Sequence, residues 1–361
     1  PTTHNLRSGT SDSFFYDMLL DLSKSMSYLS FHSFMRKYWL AAVQGILSVF
    51  LIWRLFENPT LRSNVENILL AADLRWMLVG LVSALLTESI CAVRWWLMLR
   101  LFGIPLRLPQ VFAFCGAGLF FSLGLPGAGG GDVFRILYVI QKYPDQKLKA
   151  SLSVLADRLC GLVALVATFT ATVLPNWKLF HSDPHTKFFT ILATIMLCSV
   201  VVLLFLWWIT TLKPIKNLSL PFKRLCERPA QMGEIFSELT KRPRLVLLGV
   251  MSSAVALAMH FTTYFCTSKA FNIKVSLCDI LTIMPVVDTI ILLPVTLYGV
   301  GLRETLFESL LGSLYGVDYG AAVLASLGGF GLQAFVALLG GLMIPFISLK
   351  REQTKVINHI N

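Results

Sequence analysis

Long apolar stretches alternate with short charged ones along this chain, and the lengths of the apolar stretches sort them into two kinds. Trp39–Phe56, Trp76–Leu101, Leu148–Leu174, Lys187–Leu212, Leu245–Phe271 and Ala321–Leu349 are each long enough to read as a full transmembrane helix, for which about 20 apolar residues are needed. Pro109–Leu123 and Ser276–Leu292 run instead into breaks rich in glycine: LPGAGGGDVFR at Leu125–Arg135 and LPVTLYGVGLRE at Leu293–Glu304. The second break repeats the first in altered form. Leu-Pro opens both, a glycine stands five positions after the proline (Gly131, Gly299) and an arginine nine after (Arg135, Arg303). A continuous membrane helix would lose backbone hydrogen bonds at such a break that lipid cannot replace, so this backbone must line a cavity.

After each break a helical pattern resumes, over Gly129–Lys142 and Gly301–Tyr315. In the first of these, Asp132, Arg135 and Lys142 fall within about 80 degrees of one another at 100 degrees per residue. The pattern predicts an all-α polytopic integral membrane protein with about six full transmembrane helices plus two re-entrant helical hairpins, 109–142 and 276–315, in an inverted repeat. Eight full spans is the rival arrangement. The expected organisation is an N-terminal tail over 1–38, a first helix and outer loop over 39–75, and a first repeat over 76–174. A linking helix and basic loop follow over 175–244, then a second repeat over 245–349 and a tail over 350–361. Interrupted helices at corresponding places in two halves point to a binding site between them.

Composition narrows the class. With 55% hydrophobic and 14% charged residues the chain lies outside the soluble globular range. The formal charge of +11 comes from lysines and arginines between the spans, which is the pattern that orients membrane proteins, and nucleic-acid binding is not expected. Lys213, Lys216, Lys223, Arg224, Arg228, Lys241, Arg242 and Arg244 face only Glu227, Glu234 and Glu238 in one loop, which is therefore expected on the cytoplasmic side together with both termini. Phe14, Phe15, Met18, Leu19, Leu22, Met26 and Leu29 recur at helical spacing opposite Asp17, Asp21, Lys24 and Ser25, predicting an amphipathic helix on the bilayer surface. No cleavable signal peptide is expected. The seven cysteines show no paired spacing and read as small packing residues.

LPGAGGGDVFR, SVLADRLCGL after it, RWW upstream and LPVTLYGVGLRE downstream together resemble the lysylphosphatidylglycerol synthase transmembrane family, a family of flippase-like membrane proteins, from about Arg94 to Gly341. In its best understood member, the multiple peptide resistance factor, the corresponding membrane part is linked to moving aminoacylated phosphatidylglycerol between leaflets, and a separate soluble domain makes that lipid. Only about a dozen residues follow Leu349 here, so the synthase activity is not carried over. The resemblance implies a bacterial or archaeal cytoplasmic (inner) membrane protein that handles lipid.

An ionised residue near the bilayer centre costs roughly 2.5 to 3.5 kcal/mol on insertion scales. Arg94, Arg135, Arg158 and Arg303 nevertheless stand in apolar surroundings with Glu88, Asp132, Asp157, Asp288, Glu304 and Glu308. They either neutralise one another as buried ion pairs or bind substrate. Arg135 and Arg303 favour the second reading, because a guanidinium clasps a phosphate through two hydrogen bonds and a half-helix N-terminus adds amides and a positive dipole. The expected substrate-binding set is Arg94, Gly129, Gly130, Gly131, Asp132, Arg135, Asp157, Arg158, Gly299, Gly301, Arg303 and Glu304, with Glu88, Asp288 and Glu308 as candidate proton carriers. His181, Asp183 and His185 read as a polar outer loop rather than a metal site, His260 as a hydrogen-bonded core histidine, and Trp95, Trp96, Trp207 and Trp208 as interfacial or packing aromatics.

These residues support a membrane lipid translocase that binds the headgroup of a phospholipid or lipid-linked substrate between the two hairpins. A membrane-embedded enzyme acting on a lipid phosphate or glycosyl carrier is the alternative, though HExxH and GxSG are absent. So is an accessory subunit delivering lipid to a separate synthase. The partners expected are the bilayer, the lipid, and a second copy or a synthase; no catalytic residue, metal or cofactor is expected.

Overall fold

The computed structural model describes residues 46–51, 53–54, 72–124, 130–212, 241–293, 295–296, 299–344 and 347, with the side chains of 204 and 206–212 excepted. The expected interfacial helix, most of the first span, the basic loop over 213–240, Gly129 and the C-terminal tail lie outside them.

Nine longer helices form among the described residues: α1 (Leu74–Leu101), α2 (Leu108–Gly124), α3 (Gly130–Lys142), α4 (Lys147–Val173), α5 (Pro184–Leu212), α6 (Pro243–Ala270), α7 (Leu277–Ile291), α8 (Leu302–Tyr315) and α9 (Tyr319–Gly341). Five of them, α1, α4, α5, α6 and α9, are long and apolar enough to cross a membrane. They correspond to five of the six spans expected from the sequence. Their outward faces carry exposed apolar side chains such as Leu78, Val82, Leu86, Leu247, Met251, Val255, Phe335 and Leu338, as lipid contact requires. The helices of the two pairs α2/α3 and α7/α8 have 17, 13, 15 and 14 residues, too few for a crossing of about 20. Each pair packs on itself as a hairpin.

Local chemistry fixes the ends. Asp73 accepts the Arg75 N–H at 2.9 Å to cap α1, Ser276 and Asp279 form a reciprocal capping box on α7, and Asp318 accepts from Gly320 and Ala321 to open α9. Asp183, in the stretch expected to be a polar loop, accepts from His185 and Thr186 and so caps α5. No group of three metal-ligating side chains occurs among the described residues.

The inverted repeat is visible in the packing. α1 and α6 are both 28 residues long, and Pro243 and Ala270 stand 169 positions after Leu74 and Leu101. Both end in the same turn: the Ile104 N–H reaches Leu99 O and the Ile273 N–H reaches Ser268 O, each at 2.9 Å, over Gly103 and Asn272 with φ of 74° and 58°. α1 and α6 pack antiparallel, since the Asp73 N–H donates to Ala270 O while Arg242 reaches Arg100 O. The other contacts among the eight helices of the two halves are reciprocal, while α5 packs on α7 and α8 of the second half. α9 lies on α2 as α4 lies on α7, α3 on α4 as α8 on α9, and α4 on α6 as α9 on α1. Each half has its own apolar core, one around Trp95, Met98 and Val139 and the other around Phe261, Ile283 and Phe307.

Lipid supplies little hydrophobic drive between helices, so close backbone approach has to do more of the work. α2 and α9 meet at Gly116 and Gly340, where a Cβ on Gly340 would stand 2.5 Å from the Gly116 carbonyl oxygen. Gly340→Val is expected to force the helices apart at a cost of about 1–3 kcal/mol. It should lower the apparent melting temperature followed by tryptophan fluorescence in detergent, whereas Gly331→Ala, where nothing lies within 4 Å, should leave it near wild type.

Candidate functional site

Where the two hairpins face each other between α1, α4, α6 and α9 the structure holds a cavity of about 560 Å³. Both half-helices start at it: Gly131 and Asp132 from the first turn of α3, and Gly299 and Arg303 around the start of α8, all line it. The positive dipole ends of two helices therefore border one place.

Four arginines line the cavity, Arg94, Arg135, Arg158 and Arg303, with Glu88, Asp132, Asp157 and Asp288. Two tight pairs account for much of this charge. Arg94 grips Asp157 through both nitrogens, Nε to Oδ1 at 2.6 Å and Nη2 to Oδ2 at 3.1 Å, and donates to Ser253 Oγ at 3.1 Å. That contact ties α1 and α4 of the first half to α6 of the second. Arg158 Nε donates to Asp132 Oδ2 at 2.7 Å. Arg135 sits between those same carboxylates at longer range, 3.6 Å from Asp132 and 3.7 Å from Asp157. Its Nε is buried with no hydrogen-bond partner among the described residues, as is Thr296 Oγ1 on the opposite hairpin. Both residues line the cavity. Arg135 is thus a buried cation whose two nearest carboxylates are already engaged by stronger donors, with Glu88 of α1 a third acid on the same wall.

The two hairpin arginines are held alike. The Arg135 guanidinium carbon lies 5.5 Å from the Trp95 ring centre, and that of Arg303 lies 5.9 Å from Tyr264 and 5.5 Å from Phe330. Tyr264 stands 169 positions after Trp95, so both arginines rest on equivalent aromatics of α1 and α6. Trp95 is fully buried and donates its indole N–H to Ser153 Oγ on α4 at 3.3 Å. It therefore fixes the first arginine as well as packing. Gly299, at φ 79°, has its Cβ position 3.2 Å from Arg303 Nη2, so a side chain there would be strained and would crowd the guanidinium.

The structure thus gathers Arg94, Gly131, Asp132, Arg135, Asp157, Arg158, Gly299, Arg303, Glu88 and Asp288 around one cavity. Others of the expected set lie elsewhere. Glu304 is fully buried, accepts the Gly301 N–H at 2.6 Å and takes the Ser326 hydroxyl at 3.1 Å. Its carboxylate closes the α8 N-terminus and binds that helix to α9, and it is not a lining group. Gly301 turns its α-carbon to Leu51 and Ser48, and Gly130 is buried outside the lining; Lys142, aligned with Asp132 and Arg135 by helical spacing alone, donates to Gln110 Oε1 at 3.0 Å. Glu308 also lies outside the lining residues.

The sequence reading missed His260, Gln333, Thr296 and Ser122 among the lining residues. His260 Nε2 lies 3.3 Å from Asp288 Oδ2, and its Nδ1 faces Gln333 Nε2 at 3.0 Å. The expectation that it is hydrogen-bonded holds, but at a cavity wall and not in a closed core. The available signal was a polar side chain within an apolar helix for His260, Gln333 and Ser122, and a place in the second glycine-rich break for Thr296.

A family model for the lysylphosphatidylglycerol synthase TM region matches residues 41–341. No curated protein matches the chain.

Asp157 is 1% exposed in its side chain and Arg158 52%. Asp157→Asn removes the carboxylate that Arg94 grips and leaves Arg135 with the already engaged Asp132 at 3.6 Å, and it is expected to destabilise by about 3–5 kcal/mol. Arg158→Gln, at an exposed pair, should cost about 0–1 kcal/mol. Apparent melting temperatures of the two variants in the same detergent check the contrast.

Proposed function

We propose that this chain, which belongs to the lysylphosphatidylglycerol synthase transmembrane family, is a lipid translocase that holds a phosphate-bearing headgroup between its two hairpins. The supporting observation is Arg135. It is a buried guanidinium with an unpartnered Nε, beside acids already committed to Arg94 and Arg158, facing a cavity that also presents Arg303 and the unpartnered hydroxyl of Thr296. A headgroup phosphate supplies acceptor oxygens to Arg135 Nε and the Thr296 hydroxyl, and hydrogen bonds from a guanidinium to a phosphate are among the strong ones. A volume of about 560 Å³ suits a headgroup, while acyl chains stay in the lipid beside the apolar helix faces.

Alternating exposure follows from the repeat. Each half pairs a span, a hairpin and a second span, and the antiparallel α1–α6 seam with its reciprocal contacts forms an axis about which one half rocks against the other. In this reading the basic loop and both termini face the cytoplasm, and the membrane is the cytoplasmic membrane of a bacterium or archaeon.

Purified protein in liposomes carrying fluorescent phosphatidylglycerol, phosphatidylethanolamine or phosphatidylcholine tests the reading through leaflet exchange. Wild type is expected to accelerate exchange of at least one of these lipids. Arg135→Ala and Arg303→Ala, eluting as wild type on gel filtration, should each reduce it by at least about tenfold, the equivalent of roughly 1.4 kcal/mol. Exchange that both variants retain would sink the proposal.

A further inference from the structure

His260 joins three helices of the second half. From α6 it meets Asp288 of α7 through Nε2 at 3.3 Å and Gln333 of α9 through Nδ1 at 3.0 Å. Gln333 Nε2 also lies 3.4 Å from the Tyr264 hydroxyl, and the Tyr264 ring supports Arg303. His260, Asp288 and Gln333 all line the cavity, with the imidazole and carboxylate about one-fifth exposed. Their counterparts in the first half are Cys91, Leu119 and Leu165, which stand 169, 169 and 168 positions earlier and line the same cavity. The frame therefore forms without a histidine, an acid or an amide at those places. Packing does not call for the trio, and in the second half it adds a titratable group to the wall.

The contacts also define what a proton would change. The amide nitrogen of Gln333 only donates, so Nδ1 accepts, and the hydrogen of the neutral ring sits on Nε2, 3.3 Å from the Asp288 carboxylate. A proton taken from water onto Nδ1 makes that atom a donor. Gln333 must then turn its carboxamide to offer Oε1, which withdraws its N–H from the Tyr264 hydroxyl beneath Arg303. The same proton places a positive charge in the cavity next to a carboxylate.

We propose that His260 and Asp288 form a proton-binding site facing the cavity, and that its protonation is coupled to binding of an anionic headgroup at Arg135 and Arg303. The inference rests on the headgroup reading given above. The groups facing the site across the cavity are Glu88, Cys91 and Arg94 from α1, Asp132 and Arg135 from α3, Asp157 and Arg158 from α4, and Arg303 from α8; α9 faces it with Gln333. The sign follows from linkage: an imidazolium attracts the phosphate and the phosphate favours the imidazolium by the same factor. Binding is therefore tighter at low pH and takes up protons.

Calorimetric binding of short-chain phosphatidylglycerol to the full chain in detergent, at about pH 5.5 and about pH 8, brackets the range in which imidazole titrates. Two buffers of different ionisation enthalpy report the protons exchanged. Wild type is expected to bind on the order of tenfold more tightly at the lower pH, within the usual range of coupling, with net proton uptake. His260→Gln should lose both the pH dependence and the uptake. Asp288→Asn, which keeps the ring but removes its anion, should move the dependence to lower pH, and it serves as the test should His260→Gln fail to fold. Binding that does not change with pH, or a dependence that persists in both folded variants, overturns the proton site and leaves the headgroup reading standing. Binding at neither pH, for phosphatidylglycerol or for phosphatidylethanolamine, removes the headgroup reading and the coupling with it.

Discussion

Four arginines inside an apolar helical body have to be answered by acids, aromatic faces, water or ligand, and how each is answered organises this protein. Arg94 is answered in full by Asp157 and Ser253, and in being so ties α1, α4 and α6 together. Arg158 takes Asp132. What remains for Arg135 is the far side of two carboxylates already in use and the face of Trp95. The first half thus uses Asp132 and Asp157 to hold its helices and leaves one hairpin cation, together with Glu88, at the cavity. A core of ion pairs for stability alone would have distributed the same acids more evenly, because a buried pair gives little net stabilisation and a half-satisfied cation gives less.

The backbone reaches the same place by a separate route. Helices of 13 and 14 residues cannot cross a bilayer, and their first turns need partners for free amides. In α8 the Glu304 carboxylate supplies one of these from within; in α3 the acid in the first turn, Asp132, is drawn instead to Arg158. The two hairpins are equivalent in frame and different in chemistry. The same holds for the cavity wall, where permanent pairs mark the first half and His260, Asp288 and Gln333 mark the second. In the proposed transport cycle the symmetric scaffold is what lets one half rock against the other, and the unlike decoration is what the two halves bring to it.

Much of this was legible in the sequence, for a physical reason. Charges and glycines in apolar runs are costly, so Arg94, Asp132, Arg135, Asp157 and Arg303 declared themselves by standing where they should not, and the cavity unites them. Glu304 declared itself equally loudly and was read as a substrate ligand, because adjacency to Arg303 says nothing of which way a side chain turns. As the third residue of α8 it folds back on the Gly301 amide. The aromatic supports Trp95 and Tyr264 were not legible as a pair: equivalent positions hold different residue types, and their common role appears only when the 169-residue offset of α1 and α6 is known. His260 and Gln333 were hidden by their ordinariness, since one polar side chain in a long apolar helix usually bonds within the core.

In the proposed translocase the space between Arg135 and Arg303 is a phosphate site. A cryo-electron microscopy structure of the full chain in nanodiscs of phosphatidylglycerol and phosphatidylethanolamine, with a bound antibody fragment for alignment, examines it most directly. Density for a headgroup phosphate is expected within hydrogen-bond distance of Arg135 Nε and Thr296 Oγ1, continuous with acyl chains between the hairpins. A cavity holding only water, or lipid ordered solely on the outer helix faces with Arg135 turned to Asp132 or Asp157 at close range, would contradict it.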